Sequence, residues 1–294
     1  MVANVVAREG AKELETQDER QARPVGVLDS GVGGLSVIQE IRHLLPHEDL
    51  LYFADSGKCP YGVRPPAEIR DLAESAAAFL LKHGAKALVV ACNTASTAAV
   101  AYLRELWPVI PIVGMVPAVK PAARMTTSGT IGVLATEATG KAPVLLDVID
   151  RFASDVKVLV AAPPGLVEAV EEGRTMAPET IAVLRETVEP MLAEGADALV
   201  LGCTHFPFLR PALESILQGR MHLIDSGEAV ARQTVRVLEI ADLLNPQTRQ
   251  GRLSCYTSGD LELSRLVIAK LLNLPDPHSL SLTYVPAERS RAIN

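Results

Sequence analysis

One nine-residue phrase occurs twice in this chain. Residues 84–92 read GAKALVVAC and residues 195–203 read GADALVLGC. Six of the nine positions match (Gly84/Gly195, Ala85/Ala196, Ala87/Ala198, Leu88/Leu199, Val89/Val200, Cys92/Cys203), at an offset of 203 − 92 = 111 residues. Each copy reads as a helix end, a short buried strand and a cysteine just past that strand. Parallel sheets present binding and catalytic groups from that edge. A chain that repeats this unit folds as two related halves and brings one thiol per half to a shared site.

The surrounding pattern repeats too. PVGVLD is a buried strand, followed by the glycine-rich turn SGVGG and the helical LSVIQEIRHLL. DLLYFAD is a strand, PAEIRDLAESAAAFLLKHG a helix closed by Gly84, and KALVVAC a strand. NTASTAAVAYLRELW is helical, and VIPIVGMVP is a strand with proline exits. The rhythm then restarts: Gly26-Val27-Leu28 reappears as Gly132-Val133-Leu134 in TIGVLAT. EATGKAPVLLDVIDRF is expected as a helix and DVKVLVAA as a strand. LVEAVEEG and PETIAVLRETVEPMLAEG are helices, DALVLGC a strand and LRPALESIL a helix. Asp29 precedes Cys92 by 63 residues, and Thr136 precedes Cys203 by 67. Strands alternating with helices mean an α/β fold of two pseudo-symmetric domains, with mainly parallel sheets and the active site in the cleft between them. The expected division is a polar N-terminal extension over 1–23, a first domain over 24–116 plus 223–288, and a second over 117–222. Residues from 221 onward have no counterpart in the repeat, and their helices are expected to return to the first domain. Residues 1–23 carry no apolar stripe; they read as a solvated tail or as a contact helix.

Composition narrows the function. A chain of 294 residues suits two domains of about 130 each. The net charge of −7 and the scattered basic residues speak against nucleic acid and anionic membranes as partners. The N-terminus lacks the apolar core of a signal peptide, and no run reaches the ~18 apolar residues of a membrane span, so a cytoplasmic protein is expected. Four cysteines without C-x-x-C and six dispersed histidines suggest neither a disulfide framework nor a structural zinc site.

DSGVGG (29–34) follows a strand and opens a helix. Such a turn serves as a tight connection, a small-anion site or, less aptly, a nucleotide site, because neither Gly-Lys-Ser/Thr nor the third dinucleotide glycine is present. Asp29 at the strand end is placed to cap the helix or to orient a neighbouring ionisable group. Cys92 leads into Asn93, Thr94 and Ser96, and Cys203 into Thr204 and His205. A thiol at a helix N-terminus tends to have a lowered pKa, and the hydroxyl and amide side chains beside it suit carboxylates or an ammonium. One buried cysteine alone reads as inert core. Two in matched positions read as a functional pair, while Cys59 and Cys255 read as ordinary residues. Two opposed thiols serve disulfide redox chemistry, nucleophilic catalysis, or proton transfer on both faces of one carbon. The last fits the pseudo-symmetry best.

GVLDSGVGGLSV, LYFADSGKCPYG, ACNTAS, GCTHFPFL, IDSGEAVA and CYTSGD, in this order, resemble the glutamate racemases of the aspartate/glutamate racemase superfamily, over about residues 24–287. The resemblance implies a cofactor-independent isomerase that interconverts L- and D-glutamate for peptidoglycan. It implies Cys92 as the base toward D-glutamate and Cys203 as the base toward L-glutamate, supported by Asp29 and His205 respectively. It implies substrate contacts from Asp29, Ser30, Tyr61, Gly62, Asn93, Thr94, Thr136, Thr139, Thr204 and His205. Glu171 matches an acidic position near the second cysteine, with Glu172 as the competing register. A homodimer and, in some members, a peptidoglycan-precursor activator belong to the same resemblance. Ala54-Asp55-Ser56 departs from the Gly-Asp-Thr common in the family, and LVAAPPGLVEAVEEG lacks its Ala-Cys-Pro wording. The alternatives are a racemase of aspartate or another small acid, a non-catalytic protein binding an acidic ligand, and a redox protein whose two cysteines reach disulfide distance.

Overall fold

The computed structural model describes residues 16–286. Its strands are β1 (Val25–Asp29), β2 (Leu50–Ala54), β3 (Ala87–Val90), β4 (Ile112–Val113), β5 (Thr130–Leu134), β6 (Lys157–Ala161), β7 (Ala198–Leu201), β8 (His222–Ile224), β9 (Leu253–Thr257) and β10 (Leu282–Tyr284). They form two sheets, ordered β10-β9-β2-β1-β3-β4 and β6-β5-β7-β8. Every pairing is parallel. The fold is therefore α/β, as the alternating pattern predicts. Valines and leucines buried on both faces explain the continuous apolar runs of β1, β3, β5 and β7.

The two phrases occupy equivalent places. Gly26-Val27-Leu28 of β1 lies against Leu88-Val89-Val90 of β3. Gly132-Val133-Leu134 of β5 lies against Leu199-Val200-Leu201 of β7 in the same register. The leading glycine of each phrase ends the preceding helix in a left-handed turn, with φ +88° at Gly84 and +84° at Gly195. A side chain at either position would strain that turn, which explains the shared glycine.

The helices are α1 (Gln17–Ala22), α2 (Leu35–Leu44), α3 (Pro66–Lys82), α4 (Asn93–Leu106), α5 (Val119–Met125), α6 (Glu137–Gly140), α7 (Pro143–Phe152), α8 (Leu166–Glu171), α9 (Pro178–Ala193), α10 (Arg210–Leu217), α11 (Gly227–Ile240) and α12 (Leu261–Leu271). The single helix expected over 137–152 is two. Pro143 forces Ala142 into extended backbone (ψ 135°) and then starts α7 at its first position. The strand expected over 109–117 shortens to Ile112–Val113. The C-terminal stretch does more than add helices. β9 joins the first sheet beside β2, and β10 follows it. The expected boundary at residue 222 falls within β8, which pairs with β7. Residues 1–15 lie outside the described residues, as do 287 and 288 of the expected first domain. Residues 17–22 form a helix with no buried residue, held by polar contacts: the Gln17 side chain donates to the Asp242 carbonyl at 2.6 Å. Among the described residues, no helix is long and apolar enough to cross a membrane.

Candidate active site

β3 ends two residues before Cys92, and Cys92 then caps α4, accepting the Ala95 N–H at 3.4 Å. Its thiol lies 3.8 Å from Ser30 Oγ and within hydrogen-bonding reach of Asp29. Asp29 closes β1, the neighbouring strand, and is buried. It accepts the Ser30 N–H at 2.6 Å and the Thr204 hydroxyl at 3.2 Å. The helix start alone suggests an acidified Cys92. The structure does the opposite: burial, with the Asp29 charge beside it, pushes the Cys92 thiol well up. Burial also raises Asp29, against the opposing pull of His205 and of the Cys92 hydrogen bond. A raised carboxylate next to a neutral thiol is a pair poised to pass one proton between them.

The second thiol has a different partner. Cys203 follows β7 and lies 3.7 Å from His205 Nδ1. The far side of the ring, Nε2, lies 2.6 Å from Glu171 Oε1 at the end of α8. Glu171 also accepts the Val32 N–H at 2.6 Å and the Ser56 hydroxyl at 2.8 Å. Glu172 is exposed and pairs with Arg174. Burial opposes the His205 imidazolium, but hydrogen bonds to Cys203, Cys59 and Glu171 outweigh it and hold the imidazole well above its usual pKa. Burial likewise opposes the Glu171 carboxylate, and its bond to His205 overcomes that. The directions agree on an imidazolium–carboxylate pair behind Cys203.

The two subsites are joined. Thr204 bonds Asp29 through its hydroxyl, and its carbonyl accepts the Ser36 hydroxyl at 2.9 Å. On the other flank, Thr94 Oγ1 of α4 lies 3.0 Å from Thr136 Oγ1 and 3.1 Å from Thr139 Oγ1. Gly62 packs on Thr136 so closely that a Cβ there would come within 2.8 Å of the threonine Cβ. Asn93 is buried with both side-chain Oδ1 and Nδ2 unpartnered. Leaving such a group unmet costs about 1–3 kcal/mol, which a polar ligand would recover. Beside this cluster, Thr94, Thr97, Gly62, Arg64, Arg70 and Lys141 line part of a cavity of about 580 Å³. Tyr61 is the expected site residue with its polar group turned elsewhere: its hydroxyl donates to Asp55 Oδ2 at 2.6 Å.

A model of the Asp/Glu/Hydantoin racemase family matches residues 25–234, spanning β1 to α11 and both thiols. The chain belongs to this family. A glutamate racemase of Ectopseudomonas mendocina is 54% identical over 249 residues, 85% of this chain and 94% of that protein. Among solved structures, a glutamate racemase of Bacillus anthracis matches with a TM-score of 0.79 at 31% identity, over 91% of this chain and 98% of that one. The Escherichia coli glutamate racemase in complex with L-glutamate and the activator UDP-MurNAc-Ala matches with a TM-score of 0.77 at 33% identity, over 90% and 98%.

Within this racemase-family site, sequence reasoning missed three contributors. Ser56 holds Glu171, and Ser258 donates to Asp55, the acceptor of Tyr61. Cys59, read as ordinary, lies against His205 and Glu171. Two of the three sit in LYFADSGKCPYG, so membership of a shared segment was the available signal. The His205–Glu171 pair carries a prediction. Glu171→Gln removes the charge that favours the imidazolium, so the His205 pKa falls. The alkaline limb of the kcat/KM profile then moves to lower pH. An unmoved limb would assign that ionisation to another group.

Proposed function

We propose that this protein is a glutamate racemase working by a cofactor-independent, two-thiol proton transfer. The observation that carries the reading is the pair of buried thiols at matched strand ends, each with its own proton partner: Asp29 for Cys92, His205 for Cys203. In the proposed cycle one sulfur, its proton held by its partner, removes the Cα hydrogen of the bound amino acid. The opposite thiol delivers a proton to the other face. Asn93, Thr94, Thr136, Thr139 and Thr204 supply the donors that hold the substrate carboxylates, and Ser30 and the Tyr61–Gly62 turn complete the wall. Cys92 serves D-glutamate and Cys203 serves L-glutamate. Different partners suit the two faces, because the enantiomers present different groups to each sulfur.

Glutamate as substrate is supported by the Escherichia coli relative, solved with L-glutamate bound. The activator in the same crystal supports a place in peptidoglycan synthesis. The same reading assigns residues 24–116 with 223–288 and residues 117–222 to two domains flanking the cleft. It also places the chain in the cytoplasm, where its four free cysteines stay reduced, as a homodimer.

The test is racemisation followed by circular dichroism on L- and D-glutamate and on aspartate, in D2O without pyridoxal phosphate. The expected result is turnover of glutamate, with deuterium entering the product enantiomer while the unreacted substrate stays unlabelled early on. Two separate acids require that asymmetry. Equal early labelling of both enantiomers would point to a single base, and activity on aspartate alone would overturn the substrate assignment.

A further inference from the structure

The proton cycle does not use Cys59, yet the loop after β2 carries its thiol to the back of the second subsite. One ligand atom each from Cys59, Glu171 and His205 lies within 4.8 Å of the other two. Thiol, imidazole and carboxylate form the donor set of a tetrahedral site for a borderline-soft divalent ion, with a fourth position left open. The carboxylate is already oriented by the Val32 N–H and the Ser56 hydroxyl, as metal-binding carboxylates are. An approach exists as well. A cavity of about 110 Å³ is lined by Pro60, next to Cys59, by Phe206, next to His205, and by Val167 and Glu168 on the helix that carries Glu171. We propose that Cys59, Glu171 and His205 form an inhibitory site for a divalent cation of the zinc class.

Charge balance favours such an exchange. The imidazolium and the Cys59 thiol give up one proton each, and the ion takes their place: M²⁺ + Cys–SH + His–H⁺ + Glu⁻ becomes M(Cys–S⁻)(His)(Glu⁻) + 2 H⁺. The pocket is neutral before and after, so no net charge is buried. Burial pushes the free Cys59 thiol up to about 12, so the metal must displace its proton and binding strengthens as pH rises. Once ligated, His205 can no longer exchange a proton with Cys203, and the reaction stops until a chelator removes the ion.

The experiment uses the full chain, Cys59→Ala and Cys59→Ser, with Zn²⁺ or Co²⁺ added alone. The wild type is expected to bind one Co²⁺ per chain with a sulfur-to-cobalt charge-transfer band, and Zn²⁺ is expected to block turnover reversibly. Both Cys59 variants should stay folded and active, lose the band, and require at least about tenfold more Zn²⁺ for inhibition. An unchanged band and unchanged inhibition in the variants would move the metal to Cys92 or Cys203 and overturn the site, as would absence of Co²⁺ binding to the wild type. The inhibition arm rests on the proposed racemase activity. The cobalt spectrum does not, so failure of the function and failure of the metal site are told apart.

Discussion

Cys92→Ala and Cys203→Ala each lower glutamate racemisation by about 10²–10⁴-fold or more, while melting temperature and far-ultraviolet circular dichroism stay near wild type. The size follows from geometry. Each sulfur is the proton donor or acceptor on one face of the substrate carbon. Asp29 and His205 sit behind the sulfurs and are held there, Asp29 by Ser30 and Thr204 and His205 by Glu171. Neither partner can advance to replace a lost thiol. A thousandfold loss corresponds to about 4 kcal/mol of transition-state stabilisation. The half-reactions should survive separately. Cys203→Ala keeps slow exchange of the Cα hydrogen of D-glutamate with solvent, and Cys92→Ala keeps that of L-glutamate. Near-full turnover in either variant would end the two-thiol scheme.

Lys86→Met is expected to cost about 3–5 kcal/mol of folding stability, read as a lower urea midpoint. Lys86 and Glu48 form an ion pair in which each side chain is only 2% exposed. Lys86 Nζ also donates to the Gln21 carbonyl at 2.6 Å, and Glu48 Oε1 accepts the Asn245 N–H at 2.7 Å. Four distant segments therefore meet at one buried pair, and removing the cation leaves a carboxylate with no water to solvate it. Adding Glu48→Leu should restore only part of the loss, because the Gln21 and Asn245 backbone groups then go unmet. The control is Glu228→Gln. It breaks a pair on the exposed face of α11 (60% and 66% exposed) and should change stability by no more than about 0.5 kcal/mol.

Lys86 also marks where the repeated phrase stops being informative. It occupies the third position of the first copy, where the second has Asp197. Asp197 caps the turn before β5, taking the Thr126 hydroxyl at 2.6 Å and the Thr127 N–H at 2.7 Å. The matching positions are glycine turns and strand interiors, whose requirements are local and therefore readable. The unmatched one meets groups from elsewhere in the chain. The same distinction explains the elements read incompletely. Pro143 splits a helix by a local rule that the apolar spacing concealed. β9 and β10, only half buried, join the sheet through pairing partners far away in sequence.

By itself the sequence determined the alternation of strands and helices, the equivalence of the two halves and the placement of one thiol just past a strand in each, because apolar period and turn chemistry act over a few residues. Tertiary structure decided what surrounds those thiols. Asp29 reaches Cys92 across 63 residues of chain, Glu171 reaches His205 across 34, and Cys59 comes within reach of His205 from 146 residues away. It also reversed the expectation for Cys92, whose place at a helix start favours the thiolate. Desolvation scales with burial, and burial is a property of the packed molecule, so a raised thiol pKa cannot be read along the chain.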